Sequence, residues 1–323
     1  MTASMTRAEH KSPLAVVKPR VLTKGSRVGI FAPASPAEES RTARGLAELR
    51  SLGLAPECGF SREPQAYFSA SADSRLAHFS SLLSDLNIAA LVALRGGYGS
   101  NYLLEHLWNN PPAHAKCLVG YSDVTSLQIL LWQQLRWISF YGPMAAAGLD
   151  AGAGAPNGYD RPSFEAALFA ASLRWKISLG GESMFPGTAE GIVLGGCLTL
   201  IETTLGTPWE LDTSDGILLL EDRGMKPWQI DRALMHLTQA GKFCGIKGII
   251  LGEFPDCEPP VAGSPTAKDV CERVLKPLGV PIVFGAPVGH TPRPMLTVPL
   301  GVRAKLNAQG SGTLEFLEAA VIP

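Results

Sequence analysis

A serine stands where a short apolar run gives way to a helical pattern. Residues 117–120 indicate a buried strand, Ser122 and Asp123 follow after one tyrosine, and leucines at helical spacing begin at Leu127. A serine at such a turn projects its hydroxyl into solvent, while the first amides of the helix face the same space. This arrangement suits a nucleophile with an oxyanion site beside it. The alternative is that Ser122 or Asp123 only caps the helix, as short polar residues do routinely.

A glycine-rich turn follows the apolar run at 88–94. The segment 95–99 combines Arg95 and Tyr98 with glycines at the three remaining positions. Glycines at the carboxyl end of a strand let backbone amides approach a ligand closely, which suits an oxyanion hole or a carboxylate site. The spacing does not match the dinucleotide fingerprint, whose glycines stand first, third and sixth. A simple tight turn is the alternative.

Two residues far along the chain could orient and deprotonate that serine. Glu221 follows an apolar strand-like run, where a carboxylate can hold an imidazole in the tautomer that a serine needs. A surface ion pair with Arg223 or Lys226 explains an isolated glutamate equally well. His290 lies in a loop rich in glycine and proline, which is stiff enough to hold one side chain at a site. The other histidines lie in the N-terminal arm, in helical patterns or in a proline-rich loop: His10, His78, His106, His114 and His236.

The elements that must position these side chains alternate between strand and helix through the first half of the chain, which is typical of a parallel sheet wound with helices. Strands are expected at 27–32, 88–94, 117–120 and 138–141, then at 191–194, 217–220, 249–251 and 282–284, with a hairpin within 302–316. The predicted fold class is therefore α/β, with an N-terminal parallel-sheet domain, flanking helices and a β-rich mixed C-terminal domain.

The pattern divides the chain into four segments. A flexible N-terminal arm (1–20) precedes the N-terminal nucleophile domain (21–150), and the C-terminal domain that supplies the glutamate and the histidine covers 188–323. Between them lies a stretch rich in glycine, alanine, serine and proline (151–187), which we interpret as a linker that includes a short helix.

Composition excludes several classes of protein. The 323 residues are 46% hydrophobic and 18% charged, against a globular average of about 25% charged, so the chain can fold into about two domains. A net charge of -1 without runs of like charge argues against a nucleic-acid partner. Apolar stretches fall far short of the roughly 18 residues of a membrane span, and the first residues lack a signal-peptide core, so we expect a cytoplasmic protein that does not enter membranes.

Six cysteines are scattered without the spacing of metal ligands. They are Cys58, Cys117, Cys197, Cys244, Cys257 and Cys271. No pair stands two residues apart, and no histidine lies nearby at ligand spacing. We expect buried free thiols and no metal site.

Taken in order, these motifs resemble the LD-carboxypeptidase family of serine peptidases, which includes muropeptide LD-carboxypeptidases and microcin C self-immunity peptidases. The resemblance covers most of the chain and rests on short motifs at 29–36, 95–99, 120–125, 142–144, 195–196, 220–222, 230–232, 289–290 and 300–301. It implies a triad of Ser122 as nucleophile, Glu221 as orienting carboxylate and His290 as general base, without metal or cofactor. It also implies an active site between two domains and a homodimer.

The family's oxyanion hole is built from backbone amides, which we place at Gly96, Gly97 and Asp123. We assign Arg95, from its charge and position, and the neighbouring Tyr98 to binding a small peptide substrate. The resemblance implies hydrolysis of the bond between an L-centre diamino acid and the terminal D-alanine of murein tetrapeptides, in cell-wall recycling.

Three alternatives to this function stay open. The same triad could cleave a peptidyl or aminoacyl nucleotide of the microcin C type, or the chain could be an inactive ligand-binding homologue. An α/β-hydrolase esterase shares the order serine, glutamate, histidine, but Val124 stands where its serine elbow has a glycine. Two departures from the family pattern, Tyr141 before the 142–144 motif and Cys197 after the paired glycines, leave the triad intact.

Overall fold

The computed structural model describes residues 14–61 and 63–323, and its first half builds a parallel sheet covered by helices. The elements are β1 (Arg27–Phe31), α1 (Glu39–Ser51), β2 (Ala55–Cys58), α2 (Ala72–Ser84), β3 (Ile88–Ala93), α3 (Asn101–Asn109), β4 (Cys117–Gly120), α4 (Thr125–Leu135) and β5 (Ser139–Tyr141). The five strands are parallel and lie in the order β2-β1-β3-β4-β5. The chain reverses its direction of winding between β1 and β3, and open sheets of this kind bind ligands beside that point, outside the carboxyl ends of the strands.

The second half builds a mixed sheet. Its elements are α5 (Arg161–Leu168), β6 (Trp175–Ser178), β7 (Glu182–Phe185), β8 (Thr188–Cys197), α6 (Leu198–Glu202), β9 (Gly216–Glu221), α7 (Pro227–Gln239), β10 (Gly248–Leu251), α8 (Ala267–Leu275), β11 (Ile282–Phe284), β12 (Val298–Leu300), β13 (Arg303–Asn307) and β14 (Thr313–Phe316). The strand order is β6-β14-β13-β8-β9-β10-β11-β7, in which β8 to β11 are parallel and the outer pairs antiparallel. The fold is thus the predicted combination of a parallel and a mixed β-rich half.

One strand of the second half belongs to the first sheet. β12 pairs antiparallel with β5 at the sheet edge, although β11 before it and β13 after it lie in the second sheet. The chain therefore crosses between the sheets twice near its end. This exchange joins the two halves by backbone hydrogen bonds as well as by side-chain packing.

Burial explains why the central strands are apolar along their whole length. Every residue of β4 and of β9 is buried, as expected where helices or a second layer cover both faces of a parallel sheet. Burying one leucine or isoleucine side chain stabilises the fold by about 1.5–3 kcal/mol. β9 can therefore end in the polar residue Glu221 without losing its place in the core.

Most of the predicted strands and helices are present in the structure, and the differences lie at the sheet edges. The strands expected at 117–120 and 282–284 have those bounds, and the C-terminal hairpin forms as β13 and β14. The segment 151–187, interpreted as a linker, carries α5 and also β6 and β7, the two edge strands of the second sheet. These strands alternate between exposed and half-buried residues and contain one buried position each, so their sequences lack an apolar run.

The predicted arm, 1–20, lies outside the described residues up to position 13. From position 14 onward it is attached to the body of the protein: Val17 forms a β-bridge with Trp137, and Arg20 forms one with Ile322. Among the helices in the described ranges, none has the length and apolar character needed to cross a bilayer.

Candidate active site

A cavity of about 640 Å³ opens where strands of both sheets end. Arg95 to Gly97 follow β3, Ser122 follows β4, and Arg223 follows β9, and all of them line the cavity. Pro255 and Asp256 after β10 and His290 after β11 line it as well. The carboxyl ends of five parallel strands, two from the first sheet and three from the second, therefore meet at one site.

Ser122 occupies a strained turn between β4 and α4. Its φ angle is 61°, in the left-handed region that residues with side chains seldom adopt, and a single 3-10 turn, Ser122–Val124, leads directly into α4. Such strain at a strand-to-helix turn is the hallmark of a serine nucleophile presented to a cavity. Neither the 3-10 turn nor α4 has a side-chain cap, so the capping alternative is wrong.

The glycine turn lies against the serine. A Cβ atom at Gly96 would stand 2.8 Å from the Ser122 Cβ, 2.9 Å from its Oγ and 3.4 Å from the Asp123 amide nitrogen. Only glycine leaves this space open. The Asp123 carboxylate fixes the same turn, because its Oδ2 accepts a hydrogen bond of 2.8 Å from the Ser100 amide. A substrate carbonyl placed there would contact both the hydroxyl and the Asp123 amide.

Glu221 and His290 form a buried pair. The glutamate is fully buried at the end of β9, and its Oε2 accepts hydrogen bonds from His290 Nδ1 at 2.9 Å and from the His290 amide at 3.0 Å. Gly289 makes this approach possible, since a Cβ there would lie 2.4 Å from the carboxylate. The alternative in which Glu221 pairs with a surface cation is wrong. With Nδ1 engaged, Nε2 is the ring nitrogen of His290 that Glu221 does not bind. The described side chains of Ser122 and His290 line the same cavity without a hydrogen bond between them.

The Glu221 carboxylate affects the protonation of the His290 imidazole. Burial lowers the pKa of His290, but the charge and the hydrogen bond of Glu221, together with the charge of Asp222, outweigh burial, so the pKa lies above the ordinary histidine value. Burial, reinforced by Glu221, likewise raises the pKa of Asp222. The imidazole also packs edge-on against Tyr121, with ring centroids 5.1 Å apart. His290 is thus oriented from two sides.

The structure separates the two residues assigned to substrate binding. Arg95 lines the cavity and is exposed; its guanidinium donates to the Pro36 carbonyl at 3.2 Å. Within the part of the chain that the structure describes, no carboxylate lies within ion-pair distance of Arg95. Tyr98 does not line the cavity and instead packs against Phe68 and Tyr102.

Sequence reasoning missed two further arginines in the cavity wall. Arg41 comes from α1 and pairs with Asp150 at 2.6 Å, and Arg223 pairs with Asp256 at 2.7 Å. Both cations are therefore paired, whereas Arg95 has no ion-pair partner among the described residues. No sequence motif marks Arg41, because its carboxylate partner lies far along the chain.

Metal ligands do not cluster in the described residues, where no three His, Cys, Asp or Glu side chains could share an ion. The structure shows no disulfide among the six cysteines, all of which lie in the described residues. Four of them are buried, as predicted, but Cys58 and Cys244 are exposed, so the prediction of buried thiols is wrong at these two. Cys58 ends the edge strand β2, and Cys244 follows α7, where the chain is at the surface.

Two family models match the chain. The LD-carboxypeptidase N-terminal domain matches residues 28–142, and the LD-carboxypeptidase C-terminal domain matches residues 190–306. The first match contains the glycine turn and Ser122, and the second contains Glu221. His290 lies within the second match as well.

Curated relatives cover nearly the whole chain. A probable murein peptide carboxypeptidase of Bacillus subtilis is 32% identical over 294 residues, which are 90% of this chain and 91% of the relative. A putative carboxypeptidase of Streptomyces coelicolor is 36% identical over 306 residues, 93% of this chain and 96% of the relative.

Solved structures share the fold. A muramoyltetrapeptide carboxypeptidase from Oxalobacter formigenes superposes with a TM-score of 0.78 at 26% identity, covering 91% of this chain and 99% of that one. The microcin C7 self-immunity protein MccF in complex with glutamyl sulfamoyl guanosine superposes with a TM-score of 0.82 at 22% identity, covering 95% of this chain and 100% of that one.

Proposed function

Because this chain belongs to the LD-carboxypeptidase family, whose members are serine-type carboxypeptidases, we propose that it removes the terminal D-alanine from murein tetrapeptides. The bond cleaved is the amide between an L-centre diamino acid and D-alanine. One observation carries the proposal: the Glu221 carboxylate binds both the ring and the backbone of His290, beside the same cavity that Ser122 enters from a strained turn.

The proposed reaction proceeds through an acyl-enzyme. His290 Nε2 takes the proton of Ser122 as Oγ attacks the scissile carbonyl carbon, and Glu221 stabilises the imidazolium that forms. The amides at Asp123 and in the Gly96–Gly97 turn stabilise the oxyanion. His290 then gives its proton to the departing D-alanine nitrogen. Water, deprotonated by His290, attacks the ester and releases the shortened peptide.

Charge in the cavity supports a substrate with a free carboxylate. Arg95 is the wall arginine that no described carboxylate neutralises, whereas Arg41 and Arg223 are paired. A terminal D-alanine carries its carboxylate close to the scissile bond, so the Arg95 guanidinium, which lines the same cavity as Ser122, suits it. The names of the B. subtilis and O. formigenes relatives point to the same class of substrate. The proposal includes a cytoplasmic location and the homodimer usual in the family.

A second candidate is a peptidase acting on nucleotide-linked amino acids. The fold matches that of MccF, which was solved with glutamyl sulfamoyl guanosine. Arg95, the wall arginine that no described carboxylate neutralises, could face an acidic linker as well as a carboxylate. The triad would act on the amide of such a compound in the same way, with a different leaving group.

A substrate panel tests the proposal. Purified protein is incubated with murein tetrapeptide and, separately, with an aminoacyl sulfamoyl nucleotide, and free D-alanine and cleaved nucleotide are measured by chromatography. We expect D-alanine release, lowered by several powers of ten in Ser122→Ala. Ser84→Ala, which removes an exposed hydroxyl bonded to the Ser80 carbonyl, is the matched control. Cleavage of the nucleotide alone would favour the second candidate, and full activity of Ser122→Ala would refute both.

A further inference from the structure

A buried tyrosine lies between the serine turn and the triad carboxylate. Tyr141, the last residue of β5, is fully buried, and its hydroxyl donates a hydrogen bond to Glu221 Oε1. The same hydroxyl oxygen accepts a hydrogen bond from the Ser122 amide at 3.4 Å. One phenol group therefore contacts the backbone of the first sheet's serine and the carboxylate of the second sheet's glutamate.

We propose that Tyr141 is a positioning residue of the triad. Its hydroxyl fixes the Glu221 carboxylate relative to the turn that carries Ser122. The inference rests on the proposed function, since it gives Tyr141 a role in the same catalytic site. Tyr141 does not line the cavity, so it has no contact with substrate and acts through Glu221 and Ser122.

The contacts of Glu221 show why the tyrosine matters. His290 donates to the carboxylate from one side, through its ring and its amide. The Tyr141 hydroxyl is the donor on the other side, from a different sheet. Burying a carboxylate costs more free energy when it accepts fewer hydrogen bonds. The carboxylate can then also rotate toward the donors that remain. Removing the phenol hydroxyl would thus loosen the geometry that fixes the imidazole.

The chemistry of the phenol suits this structural role. Burial and the nearby Glu221 carboxylate raise the pKa of Tyr141 well above its ordinary value, with Cys197 adding to the effect. The hydroxyl therefore keeps its proton throughout the pH range in which an ordinary tyrosine does. It serves as a constant donor and takes no part in proton transfer.

Tyr141→Phe is the direct test. It removes one oxygen and keeps the buried ring. We expect kcat to fall about 10- to 100-fold with KM unchanged, the range for one hydrogen bond to a charged group. We also expect the pKa of His290 to rise, because a carboxylate with one donor fewer attracts the imidazolium more strongly. The acid limb of kcat/KM then moves to higher pH.

Tyr159→Phe is the matched control. Tyr159 is also fully buried, and its hydroxyl donates to Glu48 at 2.7 Å, outside the triad. We expect it to lose similar stability in thermal unfolding while kcat and the His290 titration stay as in the wild type. Equal losses of kcat in both variants would show a general effect of removing a buried hydroxyl and would overturn the role of Tyr141.

Histidine nitrogen NMR on the free enzyme separates this inference from the proposed function, because it needs no substrate. The His290 pKa should rise in Tyr141→Phe, and the same change in a Glu221→Gln background should leave it where Glu221→Gln alone puts it. An unchanged His290 pKa and kcat in Tyr141→Phe, with Ser122→Ala inactive, would overturn the inference alone. An active Ser122→Ala would overturn the proposed function, while the NMR titration still decides the role of Tyr141.

Discussion

Gly96→Ala should abolish most of the catalytic activity while leaving the protein folded. The added methyl group would stand 2.8 Å from the Ser122 Cβ and 2.9 Å from its Oγ, well inside ordinary contact distance. It would also stand 3.4 Å from the Asp123 amide nitrogen, in the space assigned to the oxyanion. The substitution therefore tests whether the reaction takes place in that space.

The size of the effect follows from what the methyl group displaces. Losing one oxyanion donor lowers kcat by about 10²–10³, equivalent to about 2.7–4 kcal/mol of transition-state stabilisation. The crowding itself should lower the free energy of unfolding by about 1–3 kcal/mol, the usual range for one extra methyl group in a packed site. The activity loss should therefore exceed what destabilisation explains, because a folded variant still lacks room for the oxyanion.

The assay combines D-alanine release with urea unfolding on the same preparations. Gly59→Ala is the control, since the one described atom that a Cβ there would meet is His78 Nε2, at an ordinary 3.6 Å. We expect it to keep wild-type kcat and stability. A folded Gly96→Ala enzyme with wild-type kcat would refute the assignment of the oxyanion to the space between the glycine turn and Ser122.

Three further predictions concern the same site. Glu221→Gln should lower kcat by about 10⁴ with a small change in KM in steady-state kinetics, because an amide leaves the imidazole without its charged partner; a loss under tenfold would contradict the triad. The kcat/KM profile should rise through a pKa above about 6.5, since His290 acts when neutral and Glu221 raises its pKa; a midpoint below pH 6 would contradict this. Arg95→Ala should raise KM roughly tenfold for the free tetrapeptide, and leave KM unchanged for the C-terminal amide; equal effects on both would exclude carboxylate recognition.

The sequence predicted a feature of the site where the residues that form the feature are consecutive in the chain. The change from buried strand to helix at Ser122 lies within one short segment, and it predicts the strained turn that the structure shows. Glu221 and His290 lack such a local signal. The joint order of the short motifs along the chain made the resemblance specific, because surface pairing and loop placement fit each of these two residues alone.

Contacts between sheets could not be predicted in this way. Tyr141 and Glu221 are separated by 80 positions and end strands of different sheets, so no periodicity relates them. The pairing of β12 with the first sheet could not be predicted either, because nothing in its three residues, Val298–Leu300, indicates which strand they pair with. The edge strand β2 was missed for a different reason: its residues are exposed or half-buried and include a proline.

The position of His290 has a different physical cause from the one inferred from its loop. Proline and glycine around it suggested that a stiff backbone places the residue. In the structure, Glu221 binds the amide and the ring of the same residue, so one carboxylate fixes both the backbone and the imidazole. The loop is held further along by Arg293, which donates to Glu253 and to the carbonyls of Gly180 and Gly285. A loop residue can thus be placed as firmly as a strand residue, because its hydrogen bonds lead back to the buried end of β9.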